Sequence, residues 1–331
     1  MLKSSKRLIG KSILAGLVAS ALGVSPVLAQ NYPNKTITLI APYGVGGDSD
    51  FSGRNLAAVA NKLIGQPVIV QNVAGASGTI GSQKVRTSPP DGYTLLISRG
   101  GSQAITPALD SNTPYKWNDF TMISLLDFNP VVCVVKPDSP YKTIKELIDG
   151  IKANPGKLNY ATAGPGTTQH LAVEVMLRDV GLPSSAAMMI PYKGGGQASA
   201  ALLGGEVNFL CNNLTTMVGQ IKGGAMRALV TSTSNRLKEF PDVPTAKESG
   251  IPSLEQVMGW SGLYGPPGLP AEVVNKWQAV LKEVAKDPAW LRGNDTVGAI
   301  PAIRSPQETE KFAREQFELY SKLGAELNLK K

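Results

Sequence analysis

Residues 36 to 57 read Thr36-Ile-Thr-Leu-Ile-Ala-Pro-Tyr-Gly-Val-Gly-Gly-Asp-Ser-Asp-Phe-Ser-Gly-Arg-Asn-Leu-Ala, and they constrain the chain more than any other stretch. Ile37, Leu39 and Ile40 form a buried-strand pattern. A glycine-rich turn follows, then a helix with an acidic start (Asp48, Asp50) and apolar positions at Phe51, Leu56, Val59 and Leu63. A strand that hands over to a helix through such a loop aims unpaired backbone N–H groups at one point, which suits an anion. The rhythm repeats. Pro67-Val-Ile-Val-Gln-Asn precedes the loop Val73-Ala-Gly-Ala-Ser-Gly-Thr-Ile-Gly81, and Tyr93-Thr-Leu-Leu-Ile-Ser98 precedes Arg99-Gly-Gly-Ser102. Three such units predict the α/β class, with a largely parallel sheet and all three loops at one edge.

A second series follows from Val131-Val-Cys-Val-Val135. Thr143-Ile-Lys-Glu146 fits a capping box that opens a helix ending near Asn154-Pro-Gly156. Leu158-Asn-Tyr-Ala-Thr162 leads through Ala163-Gly-Pro-Gly-Thr-Thr-Gln-His170 into another helix, and Met188-Met-Ile-Pro-Tyr-Lys-Gly-Gly-Gly196 repeats the strand-to-glycine step. Glu206 to Asn213 is a strand ending in the amide pair Asn212 and Asn213, and Arg227 to Thr231 is one more. Trp260-Ser-Gly-Leu-Tyr-Gly265 is a late strand, and the remainder is helical.

The chain opens with Lys3, Lys6, Arg7 and Lys11, then the apolar run Ser12 to Val24 and the small-residue ending Pro26-Val-Leu-Ala29. This is the pattern of a cleavable export signal, too short to span a bilayer comfortably. A periplasmic or secreted mature protein is expected, beginning near Gln30. Loss of the four basic residues takes the formal net charge from +8 to +4. The remaining Lys and Arg are scattered, which argues against a nucleic-acid partner. The two cysteines, Cys133 and Cys211, sit in apolar strand patterns and are expected as free, buried thiols.

Most catalytic chemistry lacks its signature. His170 is the single histidine, so a zinc-type cluster is not expected, and neither is any other cofactor. There is no Gly-x-Ser-x-Gly elbow and no Walker A sequence. Gly44-Val-Gly-Gly-Asp-Ser49 approaches the dinucleotide fingerprint but has Ser49 at the third glycine position, and nothing acidic lies between Asp50 and Asp91. Three side chains remain as candidates for ligand contact. His170 lies in the first turn of a helix, as a ligand contact or a packing group. Lys193 ends a strand, at a pocket rim or the surface. Arg99 lies at the carboxyl end of a strand, where parallel sheets bind ligands, and its guanidinium there can clamp a carboxylate or remain exposed.

With these motifs in view, the chain resembles the Bug family, the substrate-binding proteins of tripartite tricarboxylate transporters. The matching segments are Ala41 to Asp50, Val70 to Gly81, Pro90 to Leu96, Gly164 to Leu171, Tyr192-Lys-Gly194 with Leu202-Leu-Gly-Gly205, and Phe240-Pro-Asp-Val-Pro-Thr245. The resemblance implies a two-domain Venus-flytrap fold with residues 30–130 and 256–331 in one domain and 131–255 in the other. It implies a small organic carboxylate as ligand, held between two facing glycine-rich loops. The groups carried over are Tyr43, Gly46, Gly47 and Asp50 from the first domain and Gly166, Thr167, Thr168 and His170 from the second. Arg99 or the pocket amides Asn212 and Asn213 are candidates for reading the other end of the ligand, and Ser102 and Lys193 are further candidate contacts. A di- or tricarboxylate, or an aromatic dicarboxylate, is the expected class. The partner implied is the transporter's membrane permease, with the receptor itself a monomer. Several positions depart from the family. Val45 replaces a usual proline, Ala201 and Asn208 stand where aspartates are common, and Arg99 is not a general family feature. An exported carboxylate-processing enzyme and a binding protein of an ATP-cassette transporter are the competing readings.

Overall fold

The computed structural model describes residues 32–331. The export signal expected over residues 1–29 lies outside the described residues. Two mixed sheets with flanking helices make an α/β fold. The first has six strands: β1 (Ile37–Ala41), β2 (Val68–Asn72), β3 (Thr94–Arg99), β4 (Thr121–Asn129), β10 (Gly259–Gly265) and β11 (Ile300–Pro301), in the order β11-β4-β10-β3-β1-β2. The second has five: β5 (Val131–Val135), β6 (Asn159–Thr162), β7 (Met188–Pro191), β8 (Phe209–Asn213) and β9 (Arg227–Thr231), in the order β7-β6-β8-β5-β9.

The expectation of largely parallel sheets holds only in part. Strand β1 runs parallel to β2 and β3, and β6 runs parallel to β7 and β8. Strand β10 is antiparallel to both β3 and β4, and β5 to both β8 and β9. The reason is connectivity. The chain passes from the first sheet to the second at Pro130 and returns after β9, so β10 enters between strands already laid down. Strand β4 is absent from the sequence reading. Its apolar run, Met122, Ile123, Leu125 and Leu126, is broken by Ser124 and Asp127, both fully buried polar residues.

Parallel pairing puts the carboxyl ends of β1, β2 and β3 at one edge, and those of β6, β7 and β8 at one edge of the other sheet. Helices start there. In chain order the first six α-helices are α1 (Asp48–Ile64), α2 (Thr79–Arg86), α3 (Thr106–Leu109), α4 (Ile144–Ala153), α5 (Thr168–Asp179) and α6 (Gly195–Leu203), of which α1 follows β1, α5 follows β6 and α6 follows β7 at these edges. One apolar core runs across both sheets and includes Leu96, Ile105, Tyr160, Leu171, Phe209, Trp260 and Tyr320. A second packs α1 against Trp277 and Trp290 on the far face of the first sheet. Half of the capping box read at Thr143 forms: Thr143 Oγ1 accepts from the Glu146 N–H, but the Glu146 carboxylate accepts from the Lys142 N–H instead of the Thr143 N–H.

The cysteines correct the sequence reading. Cys133 and Cys211 are direct cross-strand partners of β5 and β8, and they are joined in a disulfide. Two separate strand patterns cannot reveal register, and register is what brings these sulfurs together. The bond links residues 78 apart in sequence. Replacing both cysteines with alanine should lower the unfolding free energy by about 2–4 kcal/mol in urea titrations. An unchanged midpoint would show that the bond restrains nothing in the unfolded chain.

Candidate functional site

The loop after β1 is shaped by its own backbone. Gly46 adopts φ +75°, the left-handed region that glycine tolerates best. Its N–H donates to Asp50 Oδ2 at 3.1 Å, while Asp50 Oδ1 accepts from Arg54 Nε at 2.9 Å. Asp50 therefore braces the loop from within. The Gly47 N–H is also committed, donating to the Gly44 carbonyl at 3.3 Å. The next groups along, the N–H groups of the first turn of α1, have no intrahelical acceptor, and no side chain caps them.

The same situation arises across the gap. Helix α5 begins after Thr167 and α6 after Gly194, neither with a side-chain cap at the N-cap. The two sheets meet at these loops. Gly44 N–H donates to the Lys193 carbonyl at 3.0 Å, Ser77 Oγ to the Pro165 carbonyl at 2.6 Å, and Thr106 Oγ1 to the Gly166 carbonyl at 3.0 Å. A Cβ on Gly196 would stand 2.7 Å from the Gly46 carbonyl oxygen, so only glycine permits this approach. Between the loops lies a cavity of about 20 Å³, lined by Tyr43, Asp48, Arg99, Gly101, Ala163, Thr167, Thr168, Gln169, Gly195 and Asn213. The amino ends of α1, α5 and α6 all border it. Each helix end carries a partial positive charge of about half a unit, so three together favour an anion.

The far wall is ionic and buried. Arg99, at the end of β3, donates from Nη1 to Ser261 Oγ at 2.5 Å, and its Nη2 lies 3.5 Å from Asp48 Oδ2. Asp48 also accepts from Asn213 Nδ2 at 2.8 Å and from the Thr215 hydroxyl, which ties the first sheet's helix to the second sheet. Behind Arg99, Asp127 accepts from Ser52 Oγ at 2.6 Å, Ser261 Oγ at 2.8 Å and Asn129 Nδ2 at 2.6 Å. Burial pushes the Asp127 carboxyl above the usual carboxylate range, against the pull of Arg99 and these three hydrogen bonds. Burial likewise raises the Tyr43 hydroxyl, which stays neutral and donates to the Ser77 carbonyl at 2.8 Å.

Of the residues singled out in the sequence, Tyr43, Arg99, Thr167 and Thr168 line the cavity. Gly46, Gly47 and Asp50 shape its loop. Ser102 is buried behind it, with Oγ 3.4 Å from the Arg99 carbonyl. Asn212 lies beneath the cavity. Its Nδ2 donates to the Gly195 carbonyl at 3.0 Å and its Oδ1 accepts from Gln169 Nε2 at 2.7 Å, which couples α5 to α6. Lys193 is exposed, and its carbonyl is what meets Gly44. Gly166 and His170 border a separate outer groove of about 480 Å³, together with Ser77, Thr106 and Lys331. His170 Nδ1 accepts from the Gly166 N–H at 3.3 Å, and Nε2 lies 3.4 Å from Glu174 Oε1. Burial resists ionisation of Glu174, but hydrogen bonds from His170, Ser184 and Tyr160 hold its carboxyl below the usual range.

Asp48, Gly101, Ala163, Gln169, Gly195 and Asn213 complete the cavity, and of these only Asn213 was among the sequence candidates. Asp48 read as a helix-start residue, which it is, so its second role had no separate signal. Asp127 had one, a lone carboxylate inside an apolar run. Among the described residues no group of three or more His, Cys, Asp or Glu is placed to hold a metal ion, and no helix is long and apolar enough to cross a membrane.

Residues 53–329 match the family model described as "Tripartite tricarboxylate transporter family receptor". Protein BugT of Bordetella pertussis is 32% identical over 321 residues, covering 96% of this chain and 97% of the relative. The structure of the periplasmic binding protein BugD superposes with a TM-score of 0.86 at 30% identity, covering 90% of this chain and 99% of that one. MatC from Rhodopseudomonas palustris, solved with bound malate, gives 0.83 at 28% identity, covering 88% and 99%.

Two outcomes check this geometry. Asp50→Ala should cost about 1.5–3 kcal/mol, the value of a hydrogen bond to a charged group, read by chemical denaturation. A loss below about 0.5 kcal/mol would remove Asp50 as the loop's brace. A carboxyl that holds its proton more tightly folded than unfolded loses stability as pH rises through that interval. Asp127→Asn should therefore gain stability relative to wild type as pH rises above about 4, the ordinary aspartate value. A difference that does not change with pH would contradict the raised Asp127.

Proposed function

We propose that this chain, which belongs to the tripartite tricarboxylate transporter receptor family, is the periplasmic receptor that captures a small organic carboxylate and delivers it to a membrane permease. The observation that carries the reading is the convergence of three uncapped helix amino ends on one cavity. One ligand carboxylate lies there, accepting from first-turn N–H groups of α1 and α5 and from the Thr168 hydroxyl. Charge-assisted hydrogen bonds contribute about 1.5–3 kcal/mol each, so three or four of them account for much of a micromolar affinity of about −8 kcal/mol. The family's solute-binding character and the malate in MatC support a carboxylate.

The cavity as it stands has room for about one water molecule, less than a four-carbon acid needs. Ligand entry therefore parts the loops at residues 43–47 and 193–196, and closure restores the contacts between Gly44 and Lys193 and between Asp48 and Asn213. Residues 30–130 with 256–331 move as one body and 131–255 as the other, with hinges where the chain crosses between the sheets. The permease recognises the closed form of a monomeric receptor exported by the signal at residues 1–29. The competing reading of an exported enzyme is weakened by His170, whose two ring nitrogens face Gly166 and Glu174 in the outer groove.

Thermal-shift screening of the mature protein against di- and tricarboxylates, aromatic acids, sugars and cationic amino acids tests this. At a concentration about 100 times Kd an acid should stabilise the protein by about 2.7 kcal/mol, raising Tm by about 5 °C. A shift with sugars or cationic amino acids and none with any acid would overturn the proposal.

A further inference from the structure

We infer that the site selects acids with a single negative charge, because the wall facing the bound carboxylate has its one cation already neutralised. The inference rests on the carboxylate reading above and narrows it. Among the residues lining the cavity, Arg99 is the one cation and Asp48 the one anion, with Nη2 and Oδ2 3.5 Å apart. The other guanidinium nitrogen, Nη1, donates to Ser261 Oγ, and Ser261 in turn donates to Asp127. Asp48 thus pairs with the guanidinium directly and Asp127 reaches it only through Ser261, all in a buried setting.

Asp48 cannot leave Arg99 freely. Its oxygens accept from Asn213 Nδ2 and the Thr215 hydroxyl, contacts that also join the two sheets. To free Arg99 for a ligand would break those contacts and strand Asp48 without its counter-charge. Lys193 offers no substitute, since its side chain is exposed. A second ligand carboxylate would therefore enter a low-dielectric wall with no uncommitted positive charge, where like charges repel strongly. A hydroxyl, an amide or an aromatic edge meets no such penalty. A hydroxyl or an amide can in addition donate to Asp48, which lines the cavity. Asp48 is thus a specificity-determining residue, and the sequence expectation that Arg99 clamps a second carboxylate is revised.

Matched pairs test the inference: succinate with succinamate, glutarate with glutaramate, and adipate with its half-amide, alongside the simple monoacids and benzoate against phthalate. Titration calorimetry on the mature wild-type protein at neutral pH and low salt should find each monoanion at least about tenfold tighter than its dianionic partner. Binding of monoacids with no detectable binding of any diacid would support the inference equally. Any diacid that binds as tightly as its half-amide would overturn the inference. Failure of every acid to bind would remove the carboxylate reading itself, a separate outcome.

Asp48→Asn, which leaves Arg99 unpaired at the cavity, should improve the diacids relative to the half-amides by about tenfold. An unchanged ranking in a folded variant would also overturn the role of Asp48. If that variant does not fold, the wild-type ranking decides alone.

Discussion

An α-helix leaves its first N–H groups without partners, and in this protein three helices leave them beside one cavity between two sheets. Much of the architecture serves that placement. Parallel pairing within each sheet brings the carboxyl ends of the relevant strands to one edge. Glycine at the loop tips lets the two backbones approach to direct hydrogen bonding, as between Gly44 and Lys193. Asp50 and His170 brace the loops by accepting from the Gly46 and Gly166 N–H groups. Both are buried or nearly so, and both act on the cavity through the loops they hold rather than from its lining.

The ionic wall is a different kind of element. Asp48, Arg99 and Asp127 are each at most 6% exposed, and burying such charges is costly unless they are paired and hydrogen-bonded. Here they are held by Ser52, Asn129, Asn213, Thr215 and Ser261, drawn from both sheets. A network with so many committed partners is rigid and specific. On the proposed reading the helix ends attract the anion and this wall sets what the far end of a ligand must look like, so that holding and choosing fall to separate parts of one cavity.

The sequence revealed the fold class and the first half of this division. Strand, glycine loop and helix are local patterns, and they located β1, β3, β6 and β7 together with the loops that border the cavity. What stayed hidden depends on distance in the chain. Register alone pairs Cys133 with Cys211, and register cannot be read from one strand. The antiparallel insertion of β10 is a property of the whole topology. Asp48 looked like an ordinary helix-start carboxylate because its second partners, Asn213 and Thr215, lie more than 160 residues away. Asn212 and Asn213 read alike, yet strand alternation sends one under the cavity and the other to its wall.

The central claim is that a carboxylate sits at the joined amino ends of α1, α5 and α6. A crystal structure of the mature protein with a bound acid measures this directly. The carboxylate oxygens should lie about 2.7–3.0 Å from first-turn N–H groups of α1 and α5, with Arg99 still paired to Asp48. An acid seated instead in the outer groove beside His170 and Lys331, with the central cavity unchanged, would contradict the account.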